Sequence, residues 1–250
     1  MGGLSLAQFL FVGVSFFLAG IVKGVTGMGL PTVTMGLLGM VMPPVRAVTL
    51  LIVPNMVTNL WQLLTGPDFR GLLRRFWPMM VGIVAGTFSG IGLLTHGGGN
   101  GATVGLGVVL VLYSVTGLLA WHGTVARERE KWLSPLVGAV TGVIAGGTGT
   151  FIIPAVPYLQ SLNLEKEELV QALGLSFTVS TIAMVAALGG KGALHPVSLW
   201  LSLFALIPAL VGMGVGQMIR SRVSPVTFRR WFLICLGVLG LQLALKPWGW

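Results

Sequence analysis

The chain is a succession of continuous apolar runs separated by short polar connections. Five runs precede a charged connection at 127–131 and five follow it. The longer runs have about 19 to 23 residues, and about 20 residues of α-helix are needed to cross a bilayer. Transmembrane β-strands would instead alternate over about ten positions. The pattern therefore predicts membrane helices at about 4–22, 29–42, 47–65, 76–95, 101–121, 133–147, 150–162, 168–189, 197–219 and 231–245.

The second run of each set is too short to cross. The runs at 29–42 and 150–162 have about 13 or 14 residues, which suits half-helices better than full spans. Each follows a glycine-rich stretch. We therefore predict two hairpins, broken at 24–29 and at 146–150.

Composition agrees with a membrane protein. Hydrophobic residues make up 54% of the chain and charged residues 8%, whereas a soluble domain carries about 25% charged residues. The net charge of +9 comes from basic residues in short connections, where they orient helices, so we do not expect nucleic acid as a partner. Cys235 is the only cysteine, which excludes disulfides within the chain. The composition indicates an all-α polytopic membrane protein, which we expect in a bacterial inner (plasma) membrane.

The two halves of the chain resemble each other. Residues 20–27 and 142–149 share the pattern G-x-x-x-G-x-T-G at an offset of 122. An internal repeat of this kind indicates a duplicated architecture. We predict a first membrane repeat at 1–126, a cytoplasmic connection at 127–132 and a second membrane repeat at 133–250.

The basic residues predict how the repeats are oriented, because cytoplasmic connections carry an excess of Lys and Arg. Of the fifteen Lys and Arg residues, three lie in connections outside the cell and one, Lys23, lies within a membrane segment. Eleven fall inside: Arg70, Arg74, Arg75, Arg127, Arg129, Lys131, Lys166, Arg220, Arg222, Arg229 and Arg230. The two halves then have opposite orientation. The expected fold is two inverted repeats, each a broken short-helix hairpin followed by three transmembrane helices, with about eight to ten membrane segments and the two hairpin tips converging near the midplane.

The ionisable residues predict the sign of a substrate. All six acidic residues lie in connections, so no carboxylate is expected at membrane depth. Lys23 is the one cation inside an apolar run, and a charge there is costly unless it serves a function. Exposed backbone N–H groups at a helix start also bind anions, and glycine lets a ligand approach the backbone. The alternative for most of the 38 glycines is helix packing, as at Gly82, Gly86, Gly90, Gly212, Gly214 and Gly216.

Polar side chains on two further runs complete the candidate site. Asn55, Asn59 and Gln62 form a stripe after Pro54, and Ser176 and Ser180 lie on its rough equivalent in the second half. Such side chains also hydrogen-bond helices to one another. We expect no catalytic residue, metal ligand or cofactor. The candidate substrate-binding residues are Lys23, Thr26, Gly27, Met28, Gly29, Asn55, Asn59, Gly147, Thr148, Gly149, Thr150, Ser176 and Ser180.

At the two glycine-rich segments, 20–29 and 142–149, the chain resembles the TauE/SafE family, also called the toluene sulfonate uptake permeases. The resemblance covers the chain in length and two-half architecture, and its specific signal lies in these segments. It implies transport of small, mostly sulfur-containing anions such as sulfite, sulfoacetate or sulfonates.

We therefore expect a secondary transporter of a small anion that works by alternating access, with the substrate and the lipid bilayer as partners. Broken segments in matching places of two repeats are typical of such transporters. The alternatives are an anion channel, a non-catalytic membrane subunit and, less favoured, an intramembrane enzyme, which would need a buried nucleophile beside a base. A homodimer is left open.

Overall fold

The computed structural model describes residues 5–96, 100–119, 124–194, 196–220, 222 and 224–246. Within them the chain forms α-helices and no β-strand, and each predicted apolar run corresponds to one helix. The helices are α1 (Leu6–Thr26), α2 (Leu30–Leu38), α3 (Pro44–Leu64), α4 (Phe69–His96), α5 (Asn100–Leu118), α6 (Arg127–Thr148), α7 (Ala155–Gln160), α8 (Lys166–Gly190), α9 (Pro196–Arg220) and α10 (Pro225–Leu245).

Seven of these helices are long and apolar enough to cross a membrane: α1, α3, α4, α5, α8, α9 and α10. The short helices are α2, with nine residues, and α7, with six, where half-helices were predicted. Helix α1, predicted at about 4–22, has 21 residues and is about 31 Å long, enough to cross a membrane. Residues 127–132, predicted as a connection, are the first turns of α6. Glu128 and Glu130 suit the positive end of the helix dipole there.

Both helix breaks begin within the predicted segments, at Gly27 and at Gly149, and the second continues beyond residue 150 to the start of α7 at Ala155. Helix α1 ends where Gly27 takes a left-handed φ of 80°, and α6 ends where Gly149 takes a φ of 76°. In each case the glycine N–H donates to the carbonyl four residues earlier, Lys23 or Ala145, at 2.8 Å. Glycine tolerates this conformation because it has no Cβ. Both repeats of the sequence motif thus end a helix in the same way.

Glycines that precede the breaks pack helices together. On α4, a Cβ at Gly86 would overlap the backbone of Ala139 on α6, and a Cβ at Gly142 would overlap the backbone of Ile83. Small residues allow such close approach between membrane helices. The packing role expected for most glycines is confirmed at Gly82, Gly86, Gly90, Gly212 and Gly216, whereas Gly214 has no atom within 4 Å of its Cβ position.

Helix directions follow from which residues face each other. Helices α1 and α9 run parallel, as do α4 and α6, because their facing glycines advance together along both chains. Helices α3 and α8 run antiparallel, since Asn55 contacts Thr181 and Leu63 contacts Gln171. Helices α5 and α10 are also antiparallel, with Gly107 against Ala244 and Ser114 bonded to Leu233. Helices α3 and α8 also pack on α9 and α4, respectively.

The Ser202 side chain on α9 replaces a backbone hydrogen bond that is missing from α3. Pro54 has no N–H, so the carbonyl of Leu50 loses its usual helical donor. The Ser202 hydroxyl donates to that carbonyl at 2.7 Å and accepts from the N–H of Val53 at 3.0 Å. Polar side chains on neighbouring helices commonly satisfy backbone groups that proline frees in a membrane. This contact fixes α3 and α9 in register next to the candidate site.

Replacing Ser202 by alanine is expected to lower the free energy of unfolding by about 1–3 kcal/mol, because it leaves a buried backbone carbonyl without a donor. Thermal or denaturant unfolding of purified protein in detergent measures this. Ser89→Ala is the matched control, since the Ser89 hydroxyl is exposed and donates only to Ala85 of its own helix. Equal stability of the two variants would contradict this role of Ser202.

Candidate anion-binding site

Lys23 is buried among neutral partners. Its side chain is 2% exposed, and its Nζ donates to Thr58 Oγ1 at 3.0 Å and to Asn59 Oδ1. The ion pair found in the described residues joins Arg75 to Glu130, so the ammonium has no carboxylate partner among them. Burying a charge without an opposite charge is costly. The site therefore holds a buried lysine amine that has no carboxylate partner, in the last turn of α1.

The positions of α1 and α3 explain how Lys23 reaches this place. Gly20 and Gly24 sit directly on the backbone of α9, which seats α1 against that helix. Lys23 projects from the adjoining face toward α3. On α3, Thr58 and Asn59 follow Pro54 by one turn, and the Thr58 hydroxyl is itself bonded to the Pro54 carbonyl at 2.7 Å. The lysine partners are thus fixed by the same proline that Ser202 accommodates.

Three amide side chains on α3 keep unused hydrogen-bonding atoms. Asn55 Nδ2 donates to Thr181 Oγ1 at 2.7 Å, and Gln62 Nε2 donates to the carbonyl of Gly27 at 2.7 Å. Within the described residues, Asn55 Oδ1, Asn59 Nδ2 and Gln62 Oε1 are buried without a partner. Buried polar atoms are ordinarily bonded to protein or water. Asn59 Nδ2 is therefore a free donor on the residue that holds Lys23.

The first break, Gly27 to Gly29, lies next to this polar stripe. Gly27 and Gly29 both have positive φ, of 80° and 103°. The Thr26 hydroxyl lies 2.8 Å from the carbonyls of both Val22 and Met28, to either of which it donates. Met28 Sδ is 3.7 Å from the Tyr113 hydroxyl. Thr26 and Met28 thus lie at the same end of α1 as Lys23.

The second break lies in different surroundings. The hydroxyls of Thr148 and Thr150 are 2.8 Å apart, and Thr150 is fully buried. Gly147 is the last residue but one of α6, and a Cβ at Gly149 would overlap the side chain of Val48. Phe151 packs beside Asn55 and Thr181 around a void of about 10 Å³. The second break is therefore closed by side chains.

The expected convergence of the two hairpin tips does not occur in this structure. Gly27 accepts a hydrogen bond from Gln62, whereas Gly149 lies at Val48. Val48 and Gln62 are both on α3, about 21 Å apart along that helix at 1.5 Å per residue. Each loop follows a long helix, since α1 has 21 residues and α6 has 22, so the two loops reach different levels of α3. Lys23 and Asn59 lie between the two levels.

The candidate serines form no part of the lysine cluster as described. Ser176 and Ser180 are fully buried on α8, and the Ser180 hydroxyl donates to the Ser176 carbonyl at 2.8 Å. Among the residues that the structure covers, Ser176 Oγ has no hydrogen-bond partner. Neither serine is a hydrogen-bond partner of Lys23 there.

A cavity of about 330 Å³ opens beside the first break. It combines apolar, hydroxyl and basic side chains from α1, α5, α8, α9, α10 and the α1–α2 loop. Its lining residues are Val25, Thr26, Met28, Tyr113, Lys166, Arg220, Arg229 and Phe232. Lys23 is not one of them, so the cavity stops short of the buried ammonium.

Sequence reasoning missed two parts of this arrangement. Thr58 belongs to the same helical stripe as Asn55, Asn59 and Gln62, and its 3–4 spacing from them was the available signal. Lys166, Arg220 and Arg229 were interpreted as orienting charges alone. Nothing in the local sequence indicates that their three connections meet around one cavity.

Comparison with known proteins gives one family. The family model described as sulfite exporter TauE/SafE matches residues 12–243. Neither the curated proteins nor the solved structures contain a match to the chain.

Proposed function

Because the chain belongs to the TauE/SafE sulfite exporter family, a family of membrane anion transporters, we propose that it is a secondary transporter. It moves a small, sulfur-containing anion across the plasma membrane by alternating access. The observation that carries the proposal is the Lys23 ammonium, 2% exposed and held by neutral side chains. An anion is the partner that such a charge lacks.

The unused donor of Asn59 supports the same function. An anion beside Lys23 would accept charge-assisted hydrogen bonds from Nζ and a further bond from Asn59 Nδ2. These hydrogen bonds would replace part of the hydration that the anion loses on leaving water. Neutral partners also let the anion leave, since Thr58 and Asn59 resume their bonds to the lysine.

The proposed architecture is two inverted repeats, 1–126 and 133–250. The directions of the helices support this. In two such repeats, α1 corresponds to α6 and α4 corresponds to α9, so the α1–α9 pair corresponds to the α6–α4 pair. Both pairs are parallel. The central pairs, α3–α8 and α5–α10, are each antiparallel. A two-fold axis in the membrane plane produces this combination, because it reverses the direction of every helix that it relates.

The inverted arrangement predicts which side of the membrane each connection faces. In a Cys235→Ser background, single cysteines at Asp68 and Asn100 are expected to react with a membrane-impermeant maleimide from opposite sides of sealed cells, with Asn100 outside. Both positions are exposed, so each is open to the reagent. Labelling of both from one side would contradict the topology.

Flux into proteoliposomes tests transport itself. We expect uptake of radiolabelled sulfite to saturate with concentration and to be inhibited by competing sulfonates. Empty liposomes are the control for leak. A rate that rises linearly with concentration, without competition, would favour the anion channel. An absence of flux for both sulfite and the sulfonates would reject the proposed substrate class.

A further inference from the structure

Three basic side chains meet at the cavity beside the first helix break. Lys166 is the first residue of α8, Arg220 is the last of α9, and Arg229 lies in the second turn of α10. They come from three connections that are separate in sequence. Their convergence produces a positive wall that the orientation of helices alone does not require, since that needs only an excess of basic residues on one side.

The three basic side chains of the positive wall form no ion pair with a carboxylate among the described residues. Glu165, Glu167 and Glu168 neighbour Lys166 in sequence, but Glu165 and Glu168 bond each other's backbone in a capping box. Arg75 and Glu130 form the ion pair seen in the part of the chain that the structure describes. Lys166, Arg220 and Arg229 therefore remain available for an external anion.

The remaining lining residues of the same cavity form a mostly apolar wall. Val25, Met28, Phe232 and the ring of Tyr113 line it. Its volume of about 330 Å³ is at the lower end of the range for sites that hold small organic ligands, about 300–1,000 Å³. A bare inorganic oxyanion would contact the basic wall and leave the apolar wall exposed to water.

We infer that this cavity is a second binding site, separate from Lys23, for a water-soluble organic anion with an apolar tail. Its head group contacts Lys166, Arg220 and Arg229, and its tail lies against Met28 and Phe232. Thr26 also lines the cavity, but its hydroxyl already donates to the carbonyl of Val22 or Met28. An anion bound here lies beside Thr26, which is one helix turn from Lys23 on α1. The inference rests on the proposed function, because the bound anion is the transported one.

Equilibrium binding to purified protein in phosphatidylcholine nanodiscs tests the site with two probes that share a head group. Benzenesulfonate is expected to bind at least tenfold more tightly than methanesulfonate. Arg229→Gln should weaken both by about tenfold, the effect of one charge-assisted bond. Arg230→Gln is the matched control, since Arg230 is exposed and does not line the cavity. Phe232→Ala should remove the preference for benzenesulfonate and leave methanesulfonate binding unchanged, which also shows that the variant is folded.

Any one of the following results would overturn the inference. The first is equal affinity for the two probes in the wild-type protein, and the second is an equal effect of Arg229→Gln and Arg230→Gln. The third is displacement of benzenesulfonate when phosphatidylglycerol replaces part of the phosphatidylcholine, which would identify a lipid head group as the occupant. Binding that survives Lys23→Gln supports a separate site, and its loss contradicts one. Binding of the sulfonate probes without anion flux would contradict the proposed transport alone. Anion flux without binding of the probes would contradict the second site alone.

Discussion

Replacing Lys23 by glutamine is expected to lower anion flux about ten- to a hundredfold while the protein still inserts and folds. Glutamine keeps a hydrogen-bond donor in reach of Thr58 and Asn59 but removes the charge. One charge-assisted hydrogen bond contributes about 1.5–3 kcal/mol, and 1.4 kcal/mol is a factor of ten. Initial rates in proteoliposomes, normalised to the amount of folded protein, measure the effect.

The same substitution distinguishes a functional lysine from a structural one. Within the described residues Lys23 has no carboxylate partner, so the native state bears the cost of its desolvation. We therefore expect Lys23→Gln to leave the unfolding temperature unchanged or to raise it. Lys191→Gln, at an exposed connection, is the control for loss of a positive charge anywhere. Normal flux per folded molecule with Lys23→Gln would show that the anion does not use this lysine.

The helices could be predicted from the sequence, because long apolar runs have few alternatives in a bilayer. The ends of the helices could not. The motif G-x-x-x-G-x-T-G contains three glycines, and sequence does not say which of them adopts a positive φ. In the structure Gly24 and Gly146 pack against neighbouring helices, and Gly27 and Gly149 break the chain. The predicted segments, 24–29 and 146–150, therefore contained the start of each break, but the sequence did not identify the residue at which each helix ends.

Two of the candidate site residues predicted from the sequence are in contact in the structure. Lys23 and Asn59 do meet, because an isolated charge in an apolar run must find polar partners, and α3 offers the nearest polar stripe. The pairing of Thr26 with Thr148 in one site depended on the depth of each loop, which is set by helix length and tilt. The basic cavity depended on three connections meeting, and such long-range proximity is absent from local sequence patterns.

The glycine contacts between α4 and α6 lead to the largest expected effect on stability. Gly86→Val is expected to destabilise the protein by about 1–3 kcal/mol or more, because overpacking of a close contact is relieved only when the structure shifts. At Gly86 the obstacle is the backbone of Ala139 and Val143, which cannot change rotamer. The two helices would have to separate along their whole contact, and Gly82 and Gly90 would lose their partners too.

Gly92→Val is the matched control on the same helix, since a Cβ at Gly92 has no atom within 4 Å. It should leave stability unchanged or raise it slightly, because valine favours the helix more than glycine does. The pair Gly212→Val and Gly214→Val repeats the comparison on α9, where Gly212 faces the backbone of Phe17 and Gly214 faces open space. Thermal unfolding, together with the recovery of a single size-exclusion peak, measures all four. The packing differs from the one described if Gly86→Val and Gly212→Val are as stable as their controls, because a backbone contact as close as either of these leaves no room for two methyl groups.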